Sequence, residues 1–249
     1  MEEWHSVMDK SQLIEEINFK LRSQADSDYR ERVRSRYNMN VDNFWGVRTP
    51  MIHKIAGKFY KTFQSENIAK RIVLAEYLLR TRIYEHKIMA FRWCYLARKD
   101  FSSSHLDVFA KWLDEYIDDW IDCDDLCIHV IGEFFLNYPD SAEEVIHWTY
   151  SSNPWVRRGA AVSLVLPVRK GHQLNLVFRI ADLLMLDEVG LVKKGYGWLL
   201  KVASKTYPDE VYHYVITQCD NMPRVSLRYA IEKLPKHLQD HVLEKANRK

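Results

Sequence analysis

The amino-acid sequence predicts an all-α fold, and three observations support that prediction. Apolar residues recur at helical spacing, i, i+3, i+4 and i+7, in almost every segment. No convincing stretch alternates apolar and polar residues as a half-buried strand does. Glycine and proline are scarce, at 8 and 7 of 249 residues, which disfavours a strand-rich sandwich with many tight turns.

The predicted helices are short and are joined by short polar turns. Many begin after Asn, Ser or Asp and end before Pro or Gly, which are helix start and stop signals. In chain order, the segments are "SQLIEEINFKLRSQ", "NIAKRIVLAEYLLR", "YEHKIMAFRWCYLAR", "SSSHLDVFAKWLDEYI", "LCIHVIGEFFLNYP", "SAEEVIHWTYSS", "NPWVRRGAAVSLVLPVRK", "QLNLVFRIADLLML", "VKKGYGWLLKVASKTYP", "PDEVYHYVITQC" and "SLRYAIEKLP". In the second of them, Ile68, Ile72, Ala75 and Leu79 share one face.

Helix pairs recur at about 35–45 residues, a rhythm typical of HEAT-like repeats. Such repeats stack into a curved α-solenoid with a concave face. We find no linker and predict one domain over residues 1–249. A compact helical bundle is the structural alternative, although ten or more short helices favour stacked pairs.

Charge and cysteine content limit the class of protein. The net charge is only +2, so the total does not indicate a nucleic-acid binder, but "YRERVRSRY" carries four arginines and residues 114–125 are strongly acidic. Four cysteines are too few for a disulfide framework in a chain of this length, and "CDDLCIH" lacks a zinc spacing. We expect free thiols that are buried or partly buried.

The beginning of the sequence and its hydropathy indicate a cytoplasmic protein. The first residues, "MEEWHSVMDK", are acidic and polar, unlike a signal peptide. No apolar run approaches the roughly 20 residues needed to span a bilayer. Nor does the sequence contain a metal motif, a phosphate-cradling glycine loop or a nucleophilic serine that stands out. We therefore expect no cofactor, no metal and no membrane.

The most acidic segment, "DEYIDDWIDCDDLC", places seven carboxylates around one indole. On a helix, Trp120 and Asp124 lie four residues apart and share a face, an arrangement suited to a cation. The alternatives are an indole packed between helices and a carboxylate exposed to solvent. We expect solvent exposure for Asp118, Asp119 and Asp122.

A second informative segment is "VKKGYGWLLKVASK". Lys194, Trp198, Lys201 and Lys205 recur at i, i+4, i+7 and i+11, on one helix face. Cations that neutralise phosphate, with a ring among them, suit the DNA backbone, whereas a solvated lysine face is the plainer interpretation. Gly195 and Gly197 weaken a helix by about 1 kcal/mol each relative to Ala, which indicates close approach by a helix or by DNA.

Five strings occur in a family order: "FWGVRTP", "DDWIDCDD", "NPWVRRGAAVS", "VKKGYGWLLKVASKTYP" and "SLRYAIEKLP". Over about residues 10–240 the chain resembles the AlkD-like DNA alkylation repair family, which comprises DNA glycosylases built from HEAT-like repeats. The ordered set is more specific than any single string. The resemblance implies excision of positively charged N-alkylated purines, such as N3-methyladenine and N7-methylguanine, from double-stranded DNA without flipping the base into a pocket.

The resemblance also implies roles for individual residues. Asp124 matches the catalytic aspartate, and the register with "GEFFLNYP" selects it over Asp125. The two site tryptophans match Trp120 and Trp198. A phosphate-contacting arginine matches Arg158, beside which Arg157 is a second candidate. A tyrosine before the "FWGVRTP" turn matches Tyr37.

At one position the sequence departs from the family pattern, which often has Arg where this chain has Lys201. The substitution retains the cation and loses a bidentate grip on phosphate. We expect altered affinity rather than lost chemistry. Relatives that lack the aspartate are thought to bind DNA without cleaving it, and the presence of Asp124 argues against that branch.

The chemistry of the reaction agrees with these residues. Cleavage of an N-glycosidic bond leaves oxocarbenium character on the sugar, which a nearby carboxylate stabilises. A positively charged base is already a good leaving group, so little acid catalysis is needed.

The competing functions are a non-catalytic HEAT-like binder of damaged or branched DNA and a protein-interaction solenoid. We expect a monomer.

Overall fold

The structure is a computed structural model that describes residues 10–37 and 43–247. Within these ranges every regular element is helical and no strand occurs, which confirms the predicted all-α class. The described residues pack into two compact units whose boundary lies between Phe101 and Ser102. The curved solenoid and the single domain over residues 1–249 stay predictions.

The described part of the first unit contains five α-helices. They are α1 (Lys10–Arg22), α2 (Ser27–Tyr37), α3 (Thr49–Phe63), α4 (Ile68–Leu79) and α5 (Tyr84–Ala97). Helix α4 begins after Asn67, whose side chain accepts a hydrogen bond from the backbone N–H of Lys70 at 2.9 Å. The predicted apolar face of α4 lies inward, with Ile72, Ala75 and Leu79 buried.

Helix α5 forms the centre of the first unit, where it packs against α3 and α4. The indole N–H of Trp93 donates to the carbonyl of Ala56 on α3 at 2.9 Å. The fully buried carboxylate of Glu85 accepts hydrogen bonds from the backbone N–H groups of residues 45–47. These bonds fix the "FWGVRTP" segment just before α3 begins.

The second unit contains the remaining eleven described α-helices. They are α6 (His105–Glu115), α7 (Trp120–Leu126), α8 (Gly132–Asn137), α9 (Val145–Trp148), α10 (Pro154–Val162), α11 (Val165–Arg169), α12 (Leu174–Leu184), α13 (Gly190–Thr206), α14 (Pro208–Gln218), α15 (Arg224–Ile231) and α16 (Lys236–Ala246). Short 3-10 turns supplement them at Arg98–Asp100 in the first unit and Pro139–Glu144 in the second.

Helix α13 is the central element of the second unit and packs against α10, α12 and α15. Its inward face buries Tyr196, Leu199 and Leu200. The lysines predicted to form a stripe lie on the opposite side, with Lys194 and Lys205 exposed. The helical period therefore divides α13 into an apolar face and a basic face, as the sequence predicts.

Helices α7 and α8 form one helical path interrupted by a π-helical segment, Cys127–Ile131. The sequence predicts a helix beginning near residue 126, whereas the helical path already begins at Trp120. A π segment shifts the register of everything that follows it and often occurs next to functional sites. It directly follows the turn that carries Asp124.

Two further predictions concern cysteines and membranes. Cys94, Cys123, Cys127 and Cys219 are free and buried, which confirms the expected thiols. Among the described helices, none combines the length and apolar character that crossing a bilayer requires.

Candidate functional site

The second unit contains a cavity of about 470 Å³ into which helices α7, α10, α13 and α15 project side chains. Its lining consists of Trp120, Asp124, Arg158, Leu191, Lys194, Trp198, Lys201 and Tyr229. Three cations, one carboxylate and three aromatic rings thus face one space. Six of these eight residues are candidates from the sequence, drawn from three separate segments.

The start of α7 positions Trp120 and Asp124. Asp119 precedes the helix in an extended conformation, and its carboxylate accepts a hydrogen bond from the N–H of Ile121 at 2.8 Å. Trp120 is therefore the first helical residue, and Asp124 follows one turn later on the same side. Trp120 is 41% exposed, a large value for a tryptophan. Part of its surface faces the cavity.

Helix α10 packs closely against α6 and the π-helical segment because residue 159 is a glycine. A Cβ at Gly159 would lie 2.4 Å from Cδ2 of Leu113 and 3.3 Å from the Sγ of Cys127, so a larger residue would push the helices apart. Asn153 caps α10 by accepting from the N–H of Trp155 at 2.9 Å. Helix α10 also packs against α7, and there Arg158 reaches Asp124.

Arg158 holds one carboxylate oxygen of Asp124. Its Nε and Nη2 donate to Oδ1 at 3.1 and 2.7 Å, and its Nη1 donates to the carbonyl of Leu191 at 2.7 Å. Within the residues that the structure describes, Oδ2 of Asp124 accepts no hydrogen bond. The arginine side chain is 7% exposed and that of Asp124 is 16% exposed. The pair is fixed on its protein side and open on its cavity side.

Burial and charge act on Asp124 in opposite directions. Burial is the larger effect and raises the pKa of this carboxyl above its ordinary value, because desolvation disfavours the charged form. The charge of Arg158 and its hydrogen bonds lower the pKa, and the nearby Asp119 raises it. The carboxylate is thus a poorly solvated anion that one cation partly stabilises, the environment in which it interacts strongly with a second positive charge.

Two glycines let α13 contribute to the cavity. A Cβ at Gly195 would lie 3.2 Å from Cγ of Arg158, whose side chain crosses α13 there. One at Gly197 would lie 3.0 Å from Cα of Ser226 and from Cβ of Tyr229, on α15. Of the two explanations that the sequence leaves open for these glycines, the packing of neighbouring helices accounts for both.

The sequence of this chain matches a known protein family. The family model described as DNA alkylation repair enzyme matches residues 17–234. The chain belongs to this family. A search of curated protein sequences gave no significant match.

Three solved structures share the fold. A predicted DNA alkylation repair enzyme from Enterococcus faecalis superimposes with a TM-score of 0.75 at 16% identity, over 86% of this chain and 98% of that one. The protein smu.31 from Streptococcus mutans gives 0.56 at 18% identity, over 84% and 98%. AlkD2 from Streptococcus mutans gives 0.54 at 18% identity, over 88% and 96%. At these identities the likeness concerns the fold.

Some of the site residues predicted from the sequence line the cavity, and the others do not. Trp120, Asp124, Arg158, Trp198 and two of the three stripe lysines line it. The third stripe lysine, Lys205, is exposed farther along α13. Tyr37 ends α2, but its side chain lies outside the described residues.

Arg157 does not line the cavity. Its Nε donates to Asp187 at 2.6 Å, and its Nη1 donates to the carbonyls of Ser151 and Ser152. The guanidinium thus joins α10 to the turn after α12. A DNA contact by Arg157 stays a prediction, while the observed bonds give it a structural role.

The acidic segment differs from the prediction at two positions. Asp118 is exposed, as expected, whereas Asp119 is half-buried and caps α7. Asp122 was expected to be a solvent charge, but it is 1% exposed, so that expectation is wrong. The physical reason is the start of α7 at Trp120, which turns Asp122 to the packed side together with Leu126.

Sequence reasoning missed Tyr229 and Leu191 as lining residues. The available signal for Tyr229 was its place in "SLRYAIEKLP", a string already singled out. Its proximity to Gly197 arises from the packing of α15 on α13, which no local pattern encodes. No cluster of three or more His, Cys, Asp or Glu residues that could hold a metal occurs in the described ranges.

Proposed function

We propose that this chain is a DNA glycosylase that hydrolyses the N-glycosidic bond of positively charged N-alkylated purines in duplex DNA. The observation that carries the proposal is the carboxylate of Asp124, which Arg158 fixes through one oxygen beside a cavity lined by Trp120 and Trp198. A single fixed anion in a partly desolvated site suits a reaction that creates positive charge on a sugar.

The bond cleavage requires little from the protein beyond this anion. When the C–N bond breaks, its electron pair neutralises the positive charge of the alkylated base, which leaves as a neutral molecule. The sugar acquires oxocarbenium character, and water then adds to it. Asp124 stabilises that charge, and its Oδ2 accepts the proton of the attacking water. The indoles of Trp120 and Trp198 stabilise the cationic nucleotide through their π faces.

The lining of the cavity supports a mechanism without base flipping. Enzymes that flip a base read its hydrogen-bonding edge in a pocket. The eight lining residues include no Asn, Gln, Ser or Thr, the small polar side chains that suit such reading. They offer cations for phosphate, rings for the sugar and one carboxylate. The proposed specificity therefore comes from positive charge on the nucleotide.

The remaining elements of the proposal concern the DNA. Lys194, Lys201 and Lys205 neutralise backbone phosphates from the basic face of α13. Arg158 stays a candidate phosphate contact through the N–H groups that Asp124 and Leu191 do not take. One copy of the chain binds double-stranded DNA in the cytoplasm, with no cofactor.

The test compares two duplexes that differ only in the charge of one base. One contains a single N7-methylguanine and the other contains 7-methyl-7-deazaguanine, which has the same shape and no positive charge. Chromatography measures the free base, and alkali cleavage measures the abasic site. We expect release from the first duplex and none from the second.

The contradicting outcome is equally specific. No release above the spontaneous rate from N7-methylguanine or N3-methyladenine would overturn the glycosylase proposal. Retained binding to the same duplexes would then identify the chain as a non-catalytic DNA-binding protein.

A further inference from the structure

The three lysines on the basic face of α13 differ in their partners. Lys194 and Lys205 are exposed, and within the described parts of the chain neither forms a salt bridge. Lys201 is only 21% exposed, and its Nζ lies 2.6 Å from Oε2 of Glu232. The lysine at the position where the family often has arginine is thus the one that a carboxylate already occupies.

Glu232 is held by two lysines, one at each oxygen. The Nζ of Lys201 contacts Oε2, and the Nζ of Lys233 lies 3.1 Å from Oε1. The hydrogen bond from Lys201, and after it the one from Lys233, lowers the pKa of this carboxyl. Glu232 is therefore charged at neutral pH. Two oxygens that each face an ammonium also describe how a backbone phosphate is held.

The position of Glu232 allows it to move. It is the C-terminal cap of α15, and its side chain is 45% exposed. Exposed ion pairs contribute little stability because water replaces the partners at low cost. Asp124, by contrast, is 16% exposed and fixed by the buried Arg158. Of Asp124 and Glu232, Glu232 is therefore the carboxylate that can readily leave its cation.

We propose that Glu232 occupies a DNA phosphate site formed by Lys201 and Lys233, and that DNA displaces its carboxylate on binding. The proposal rests on the proposed function, because it concerns the same cavity. When DNA binds, the contacts of Glu232 with Lys201 and Lys233 must break before the two lysines can bind a phosphate. The competition weakens the hold on every duplex alike, undamaged DNA included, and speeds release of the abasic product.

Lys201 also lies 5.8 Å from the ring centre of Tyr229, on the same wall of the cavity. When Glu232 leaves, the ammonium remains positioned by this ring and by its own helix. The ammonium of Lys201 therefore stays at the cavity, where it can bind a backbone phosphate of the duplex. This arrangement makes a phosphate the fitting replacement for the carboxylate.

The test uses undamaged duplex DNA, so it does not depend on base release. Fluorescence anisotropy gives Kd at several NaCl concentrations for the wild type and Glu232→Gln. We expect Glu232→Gln to bind about fivefold more tightly at low salt. The slope of log Kd against log salt should stay nearly the same, because the displaced Glu232 leaves the same phosphate neutralised in the wild-type complex.

The matched control is Glu143→Gln, which makes the same charge change in the same unit. Glu143 pairs with Arg179 at 2.8 Å, and neither residue lines the cavity. We expect this control to bind as the wild type does. In a Lys201→Gln, Lys233→Gln background, the gain from Glu232→Gln should disappear. Equal binding by Glu232→Gln and Glu143→Gln, or a gain that persists without both lysines, would overturn the proposal.

The two proposals fail in different ways. Base release by the wild type without any gain in binding by Glu232→Gln would leave the glycosylase standing and remove the phosphate site. Tighter binding by Glu232→Gln without base release from any cationic lesion would support the phosphate site and overturn the glycosylase proposal.

Discussion

Glu85 in the first unit and Asp124 in the second are both carboxylates whose pKa burial raises. They differ in what satisfies their oxygens. Oε1 of Glu85 accepts from the backbone N–H groups of residues 45–47 at 3.0–3.1 Å, and Oε2 accepts from Trp45 at 3.2 Å. Asp124 has one oxygen bound by Arg158 and faces a cavity.

The comparison shows that burial and a raised pKa do not by themselves identify a reactive carboxylate. Glu85 is fully buried, and each of its oxygens has a protein donor, so it holds a loop in place. Asp124 keeps one oxygen for a ligand. The distinction lies in the hydrogen bonds that a carboxylate has not yet made and in the space beside them.

The largest effect that would sharpen this contrast is on stability. In Glu85→Ala, three backbone N–H groups lose their acceptor, two of them buried, and we expect the free energy of unfolding to fall by about 3–5 kcal/mol. Urea denaturation followed by circular dichroism measures it. Glu85→Gln keeps an amide oxygen as acceptor and should lose only about 1 kcal/mol. An alanine variant as stable as the glutamine variant would show that the carboxylate does not hold the loop.

A smaller expected effect is on the pH dependence of base release, which should depend on Asp124 and not on Glu85. Base release needs ionised Asp124, so its rate should fall about tenfold per pH unit below the pKa of this group. Burial raises that pKa, so the fall begins above the ordinary aspartate value of about 3.9. The single-turnover rate from N7-methylguanine DNA, measured against pH, gives the position of this limb. Glu85→Gln should leave it unchanged.

Two arginine variants test the cause of that limb. Arg158→Gln removes the charge that lowers the pKa of Asp124, so the limb should move to higher pH. Arg157→Gln is the matched control, because Arg157 pairs with Asp187 instead. A limb that stays in place in Arg158→Gln, or moves equally in both variants, contradicts the assignment to Asp124.

The sequence predicts what depends on local spacing. The all-α class, the basic face of α13 and the pairing of Trp120 with Asp124 all follow from residues within one helix. Tertiary contacts between distant segments do not follow from local spacing. The bonds from Arg158 to Asp124 join residues 34 positions apart, and the salt bridge from Lys201 to Glu232 joins residues 31 positions apart. The resemblance supplied the residue identities at the site, but not these pairings.

Two other features show why local patterns are insufficient. Nothing around Glu85 indicates that its carboxylate binds a loop forty residues earlier. The exposed position expected for Asp122 is wrong because the start of α7, set by the Asp119 cap, decides which acids face inward. In a segment with seven carboxylates, composition alone cannot assign each one to a side.

The central claim is that Asp124 supplies the charge for base release, and the most direct measurement is the single-turnover rate of two asparagine variants. Asp124→Asn keeps an oxygen for Arg158 but loses the negative charge, so release from N7-methylguanine DNA should fall by about 100-fold or more. Asp125→Asn makes the same change one residue along, where the carboxylate lies 4.0 Å from His129. It should stay within about twofold of the wild type. Duplex binding by both variants should remain. A wild-type rate in Asp124→Asn, or an equal loss in Asp125→Asn, would contradict the account.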